Sequence, residues 1–213
     1  MIQTDDLTPD AIEAMFRRAD GSFHFARWGR PIVPVIFGVE DSTLETLKGA
    51  VEAVVALAGH KMAETDAELG ANLMVFFCRD WAELPEVPNL DRLVPDLAAL
   101  AGRLTAAGAT QYRTFRYDED GGIKVCVTFI RVADAVAEMP AETLALSIAA
   151  QMILAWGDRA FAKTSPLALA KGVAVLRPEV GAVIRAAYDP ILPVAADDTS
   201  FALRLFARLL VGR

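Results

Sequence analysis

The stretch from Ser42 to Gly59 constrains the fold most. Leu44, Leu47, Val51, Val54, Val55 and Ala58 recur at helical spacing, and Gly59 stands where a C′ residue belongs. Ser42-Thr43-Leu44-Glu45 fits a capping box, in which the serine oxygen and Glu45 satisfy two backbone donors reciprocally. Apolar runs flank this helix. Pro31 to Val39 and Asn72 to Cys78 read as buried strands, and His60 to Thr65 is the place for a further short one. Pro34 has no N–H for an interior ladder, so its strand needs a bulge or an edge.

The same reasoning extends along the chain. Thr8-Pro9-Asp10 opens a short helix with Ile12, Met15 and Phe16 on one face, ended by Asp20-Gly21-Ser22. Phe23 to Gly29 reads as an aromatic connector, and Trp81 to Asn89 as a proline-punctuated loop. Leu93 to Ala107 is a second amphipathic helix before Gly108. Thr110 to Tyr117 and Ile123 to Val132 form a hairpin around Asp118-Glu119-Asp120-Gly121-Gly122. A nearly all-apolar helix then runs from Pro140 to Trp156 and stops at Gly157. Ser165-Pro166, Arg177-Pro178-Glu179 and Asp198-Thr199 open three more, the last carrying Phe201, Leu205, Phe206, Leu209 and Leu210. The expected class is α/β (α+β), with a mixed sheet of about five strands, packing helices and a helical C-terminal third. One domain is expected over 1–213: an N-terminal helix at 1–21, a sheet-and-helix core at 22–158, and a helical part at 159–213.

Composition narrows the function classes. Hydrophobic residues make up 54% of 213, much of it alanine in helical patterns. The longest apolar run, Leu144 to Trp156, is broken by Ser147 and Gln151 and falls short of the roughly 18 residues a membrane span needs. A net charge of −7 and the lack of a long basic run weigh against nucleic acid as a partner. The acidic run Met1 to Pro9 has neither the basic nor the apolar region of a signal peptide. The expected location is therefore cytoplasmic, and periplasmic only if a leader was removed. Cys78 and Cys126 lie in strand-like runs and read as reduced core thiols, with a disulfide open only to neighbouring strands.

Metal and nucleophile chemistry lack their residue sets. His24 and His60 are far apart in sequence, with no His-x-x-x-His or Cys-x-x-Cys spacing, and read as surface or packing residues. Asp118-Glu119-Asp120-Gly121 resembles part of a calcium loop, but the twelfth position is Phe129. Ser147 and Ser165 have no neighbouring histidine and no Gly-x-Ser-x-Gly elbow, and Cys126 sits in an apolar strand. The glycines form no phosphate loop or dinucleotide fingerprint. No cofactor or metal is implied.

Strand, helix, two strands, hairpin and a buried helix ending in Gly157-Asp158 is an order that resembles the core of zincin-type metalloproteases. Their buried helix carries His-Glu-x-x-His-x-x-Gly. Anchored on Gly157, this chain has Ala150, Gln151 and Leu154 at the first His, the Glu and the second His; the shifted frame has Ser147, Ile148 and Gln151. Neither frame supplies a zinc ligand pair. Arg27-Trp28-Gly29-Arg30-Pro31-Ile32-Val33, Ala71-Asn72-Leu73-Met74-Val75 and Ala187-Tyr188-Asp189-Pro190-Ile191-Leu192 resemble an uncharacterised bacterial domain family with this layout. The resemblance covers residues 22–210, and of that family's helix pattern, Glu-Glu-Leu-x-Gln-x-x-Gly, Gln151 and Gly157 stand near matching positions. Export signals are common in that family, but this chain shows none, so periplasmic location is not carried over. The resemblance implies a fold and no activity.

Two readings of the buried helix stay open. Ser147 and Gln151, four apart, form a buried hydrogen-bonding pair, or a vestigial ligand cleft survives around Trp28, Ser147, Gln151, Gly157 and Asp158. The leading expectation is a catalytically inactive zincin-like binding or structural module, with a homodimer or protein partner possible. The alternative is a hydrolase with a non-zinc site near helix 144–156, drawing on Asp158, Asp189 and Glu142 as acids and bases.

Overall fold

A computed structural model describes residues 7–211. The acidic amino-terminal run falls largely outside them. The chain is α+β, as expected, and is organised by one mixed sheet of four strands where about five were expected. The strands are β2 (Pro34–Phe37), β3 (Leu73–Cys78), β4 (Gln111–Tyr117) and β5 (Ile123–Arg131), in the order β2-β3-β5-β4. β2, β3 and β5 are parallel, and β4 returns antiparallel along β5 as the far edge. Pro34 opens the opposite edge strand, where its missing N–H costs no ladder bond.

Alternation divides each strand between two faces. Leu73 and Val75 of β3, with Cys126 and Ile130 of β5, face a large core beneath α2 (Asp41–Leu57), α5 (Ala141–Met152) and α6 (Pro178–Ala187). Phe76 and Cys78, with Val125, Val127 and Phe129, face a second core under the 3-10 helix Trp81–Glu86, α3 (Leu90–Leu93) and α4 (Leu97–Ala106). On the first side, α1 (Pro9–Met15) and α7 (Ser200–Val211) pack together, and α7 also packs on α6. Short β1 (Phe25–Ala26) pairs antiparallel with β8 (Ala195–Ala196).

Several local expectations give way to tertiary context. The helix opening at Asp41 has Glu40 as its N-cap with no side-chain cap bond, so the Ser42–Glu45 box does not form. The reciprocal box forms at Asp80–Glu83 instead: Asp80 Oδ1 accepts from Ala82 N (2.8 Å), and Glu83 Oε1 from Asp80 N (2.9 Å). That box converts the expected loop after β3 into a 3-10 helix. His60 to Thr65 supplies one bridge, Met62 with Ile32, and no strand. α1 ends at Met15, and Asp20 to Ser22 belongs to a later turn in which Gly21 N–H donates to Arg18 O (3.0 Å).

The last third is not all helix. Ser165-Pro166 leads into a hairpin of β6 (Leu167–Ala170) and β7 (Val173–Leu176), turned at Lys171-Gly172 with both φ positive. Alanine-rich Leu-Ala-Leu-Ala fits either period, and the Lys-Gly turn decides for the strand. α5 stops at Met152, four residues before the expected end at Trp156. Beyond it the chain is extended, with Leu154 bridging Arg27 and Ala155 N–H donating to Ala26 O (2.9 Å). Gly157 is therefore not a helix stop. A Cβ there would lie 2.3 Å from Arg17 O, and glycine lets the two backbones meet.

Cys78 and Cys126 sit on adjacent strands, but Cys126 pairs with Leu73, five positions before Cys78, and the two face different cores. That offset is about 16 Å along the strand, far beyond disulfide reach. Both are free thiols that burial pushes up to about 11.

Candidate functional site

β4 presents Gln111, Arg113, Phe115 and Tyr117 on the face that looks toward α5. α5 answers with Gln151, buried in its last turn. Gln151 Oε1 accepts from Gln111 Nε2 (3.1 Å) and from both terminal nitrogens of Arg113, at 3.4 Å and 3.2 Å. Gln151 Nε2 in turn donates to Ser147 Oγ (3.1 Å). The Ser147–Gln151 pair is thus one end of a longer chain whose other end is a cation.

Arg113 is set deep, beside Thr128 in register and 6.0 Å from the centroid of Phe115. Burial pushes its pKa down, with the Cys126 thiol opposing that shift. A guanidinium nevertheless keeps its proton in proteins, so the charge remains. Among the described residues Arg113 makes no ion pair, whereas Arg17, Arg30, Arg131, Arg177 and Arg208 each meet a carboxylate.

Arg113 lies in the wall of a cavity of about 390 Å³ that is open to solvent, with Gln111, Arg18, Tyr117, Trp156 and Asp158 also in its lining. Arg18 arrives from the turn after α1 and donates from Nη2 to Tyr117 Oη (3.1 Å). Burial raises the Tyr117 pKa, partly offset by Arg18, so the phenol stays protonated at neutral pH. Asp158 Oδ2 accepts from Ala19 N (2.6 Å), and Gly157 N–H donates to Met15 O (2.8 Å). Trp156 stacks on Phe16 at 5.3 Å and donates from its indole to Ala150 O (2.9 Å). Three distant stretches of chain therefore make one cleft.

The five residues singled out in the sequence divide into three groups. Gly157 and Asp158 line the cleft, and Ser147 and Gln151 stand behind Arg113. Trp28 lies in the core, fully buried. Its indole N–H donates to Met152 O (2.9 Å), while Tyr188 Oη donates to Ile153 O (2.8 Å). These two bonds satisfy carbonyls that the early end of α5 leaves without helical partners. Trp28 is a helix-end support.

Arg113, Gln111, Tyr117 and Arg18 were not singled out in the sequence. The available signal was polar residues at alternate positions of a strand whose hairpin partner is largely apolar and buried: Gln111 against Ile130, and Arg113 against Thr128 between Val127 and Phe129.

The remaining candidates are elsewhere. His24 Nδ1 meets Asp197 Oδ1 (2.7 Å) and its ring stands edge-on to Tyr117. His60 Nε2 meets Arg30 O (2.8 Å), and burial lowers its pKa. Asp189 pairs with Arg208 (3.4 Å), Glu142 is exposed on the first turn of α5, and Ser165 Oγ accepts from Leu167 N (3.1 Å). Asp118 Oδ1 accepts from Asp120 N and Gly122 N, holding the hairpin turn. Among the described residues no three His, Cys, Asp or Glu side chains group as metal ligands, and no helix is long and apolar enough to cross a membrane.

Comparison with family models, curated proteins and solved structures yields no match. What the cleft does must be argued from its own groups. It has hydrogen-bond donors in excess, an aromatic wall at Trp156 and one carboxylate, Asp158. Ser147 Oγ, the nearest hydroxyl to the network, is met by an amide N–H rather than a base. These groups can donate hydrogen bonds and offer positive charge to a molecule in the cleft.

Proposed function

We propose that this chain is a non-catalytic binding module, with a zincin-like layout, that takes a small ligand in the cleft between β4 and the segment after α5. One observation carries the reading: the N-terminal turn, the sheet edge and the 155–158 segment converge polar side chains on a solvent-open cavity of about 390 Å³. That size falls within the roughly 300–1,000 Å³ of small-molecule sites. The order of elements supports the zincin-like part, with a buried helix lying against the antiparallel edge of a mixed sheet.

A fragment library spanning neutral, cationic and anionic compounds, read by amide and side-chain NMR, tests it. The expected result is clustered shifts at the Gln111 and Gln151 side-chain amides and the Trp156 indole. Shifts clustered elsewhere, with none at the cleft, would overturn it. Ester or peptide turnover abolished by Ser147→Ala would favour the hydrolase.

A further inference from the structure

Resting on that reading, we infer that the cleft selects an anionic oxygen group, a carboxylate or phosphate, which docks on Arg113 in a cleft that Tyr117 and Arg18 also line. The argument starts from the cost of the cation. A buried charge is expensive unless an opposite charge or a full set of hydrogen bonds compensates it. Arg113 has five N–H donors, and the described residues supply only one acceptor atom, Gln151 Oε1, shared by Nη1 and Nη2.

The rest of the fork is available. Arg113 Nε has no partner among the described residues and is not sealed from solvent, unlike Nε of Arg27 and of Arg131. A side chain held by an amide on one side and open to a cavity on the other is preorganised for a planar, two-oxygen acceptor. Gln151 is the right holder, because its neutral oxygen orients the fork without neutralising it. A carboxylate at position 151 would fill the role the ligand is assigned here.

The neighbouring groups agree in sign. Tyr117 stays protonated, and because its oxygen already accepts from Arg18, its hydroxyl proton is free to point at a ligand. Arg18 adds a second cation to the lining. Asp158 is the one carboxylate there, and its Oδ2 is engaged by Ala19 N–H. The cleft therefore carries two cations against one anion, in a protein whose overall charge is −7. A local positive cleft in an acidic chain attracts anions against the average field.

Titration with inorganic phosphate, acetate and acetamide, followed through the Arg113 Nε–H and Gln151 side-chain signals, tests the inference. Phosphate and acetate should shift both signals saturably, and acetamide should not. Arg113→Lys, which keeps the charge but loses the fork, should weaken binding by about tenfold or more, and Arg113→Met should abolish it. Arg18→Met, at a partly exposed position, should weaken binding while leaving the melt unchanged, which guards against a misfolded Arg113 variant. Acetamide binding at the cleft without anion binding would overturn the anion but keep the binding module. No shift at the cleft from any probe would overturn both. Phosphate shifts that persist in Arg113→Met would assign the anion to ordinary surface arginines and sink the proposal.

Discussion

The two faces of the sheet both bury apolar cores, but only one adds a buried polar network. Beneath α4 and the Trp81–Glu86 helix, Phe76, Val125, Val127 and Phe129 meet Trp81, Leu84, Leu97 and Leu100 in an apolar layer. Toward α5, Leu73, Val75, Cys126 and Ile130 of those strands join the larger apolar core, and Arg113 of β4 meets Gln151 and, through it, Ser147 of the helix. One face is held by burial, which is non-directional and tolerant of exchange among similar volumes. The other, with the larger apolar core, adds at its β4 edge a hydrogen-bonded chain that ends on a charge, where removing one member strands the next. The comparison teaches that apolar burial holds both faces, while the β4 edge of the α5 side adds a preorganised polar group at the cleft.

Three substitutions can break that division. Phe129→Ala, at a fully buried position of the apolar face, should cost about 3–5 kcal/mol, through lost transfer energy and the cavity left behind. Denaturant unfolding checks it, and a cost under about 1 kcal/mol would mean that burial does not hold this face. Gln151→Leu should cost about 1.5–3 kcal/mol, since the acceptor it removes serves a charged donor. A simple serine–glutamine pair would make that substitution nearly neutral; with Arg113 on the same oxygen it is not. Combined with Arg113→Met, much of the loss should return, because the stranded charge goes with its partner.

The smallest of the three lies away from both faces, at Asp66. Burial pushes its pKa up, but the backbone N–H groups of Leu69 and Glu68, with Asn72 and Arg30, outweigh that and leave it lowered. A lowered folded pKa contributes stability that is present above the unfolded value and lost as pH falls through the folded one. Asp66→Asn should therefore flatten the acid limb below about pH 4 and cost on the order of 1 kcal/mol at neutral pH, after solvent screening. Melts at several pH values show the slope. An unchanged acid limb would remove Asp66 from the account.

The difference between the faces also explains what the residues alone could convey. The α2 stripe, the β3 and β5 runs and the edge placement of Pro34 follow from period and from a missing N–H, which are local facts. α5 ends where Trp28 and Tyr188 capture Met152 O and Ile153 O, and those partners lie more than thirty positions away along the chain. The Ser42 box does not form because α2 already starts at Asp41, with Glu40 as its N-cap, directly after the end of β2 and Gly38 at positive φ. Of the site, Ser147, Gln151, Gly157 and Asp158 could be named from one apolar helix interrupted by polar residues. Arg113 could not be weighted without its register opposite Thr128, which turns a common strand arginine into a half-buried cation at the cleft.

The most direct test of the account is the unfolding free energy of Arg113→Met in the absence of any anion. Methionine fills similar space, carries no charge and leaves Gln151 Oε1 the Gln111 amide as donor. If Arg113 is kept for ligand and not for the fold, the variant should be as stable as the parent, or more stable by about 1–2 kcal/mol, because replacing a half-buried charge that has no ion-pair partner among the described residues with apolar volume relieves desolvation. A loss of more than about 2 kcal/mol, with the cleft side of the sheet losing amide protection, would contradict the account and make Arg113 a structural brace between β4 and α5.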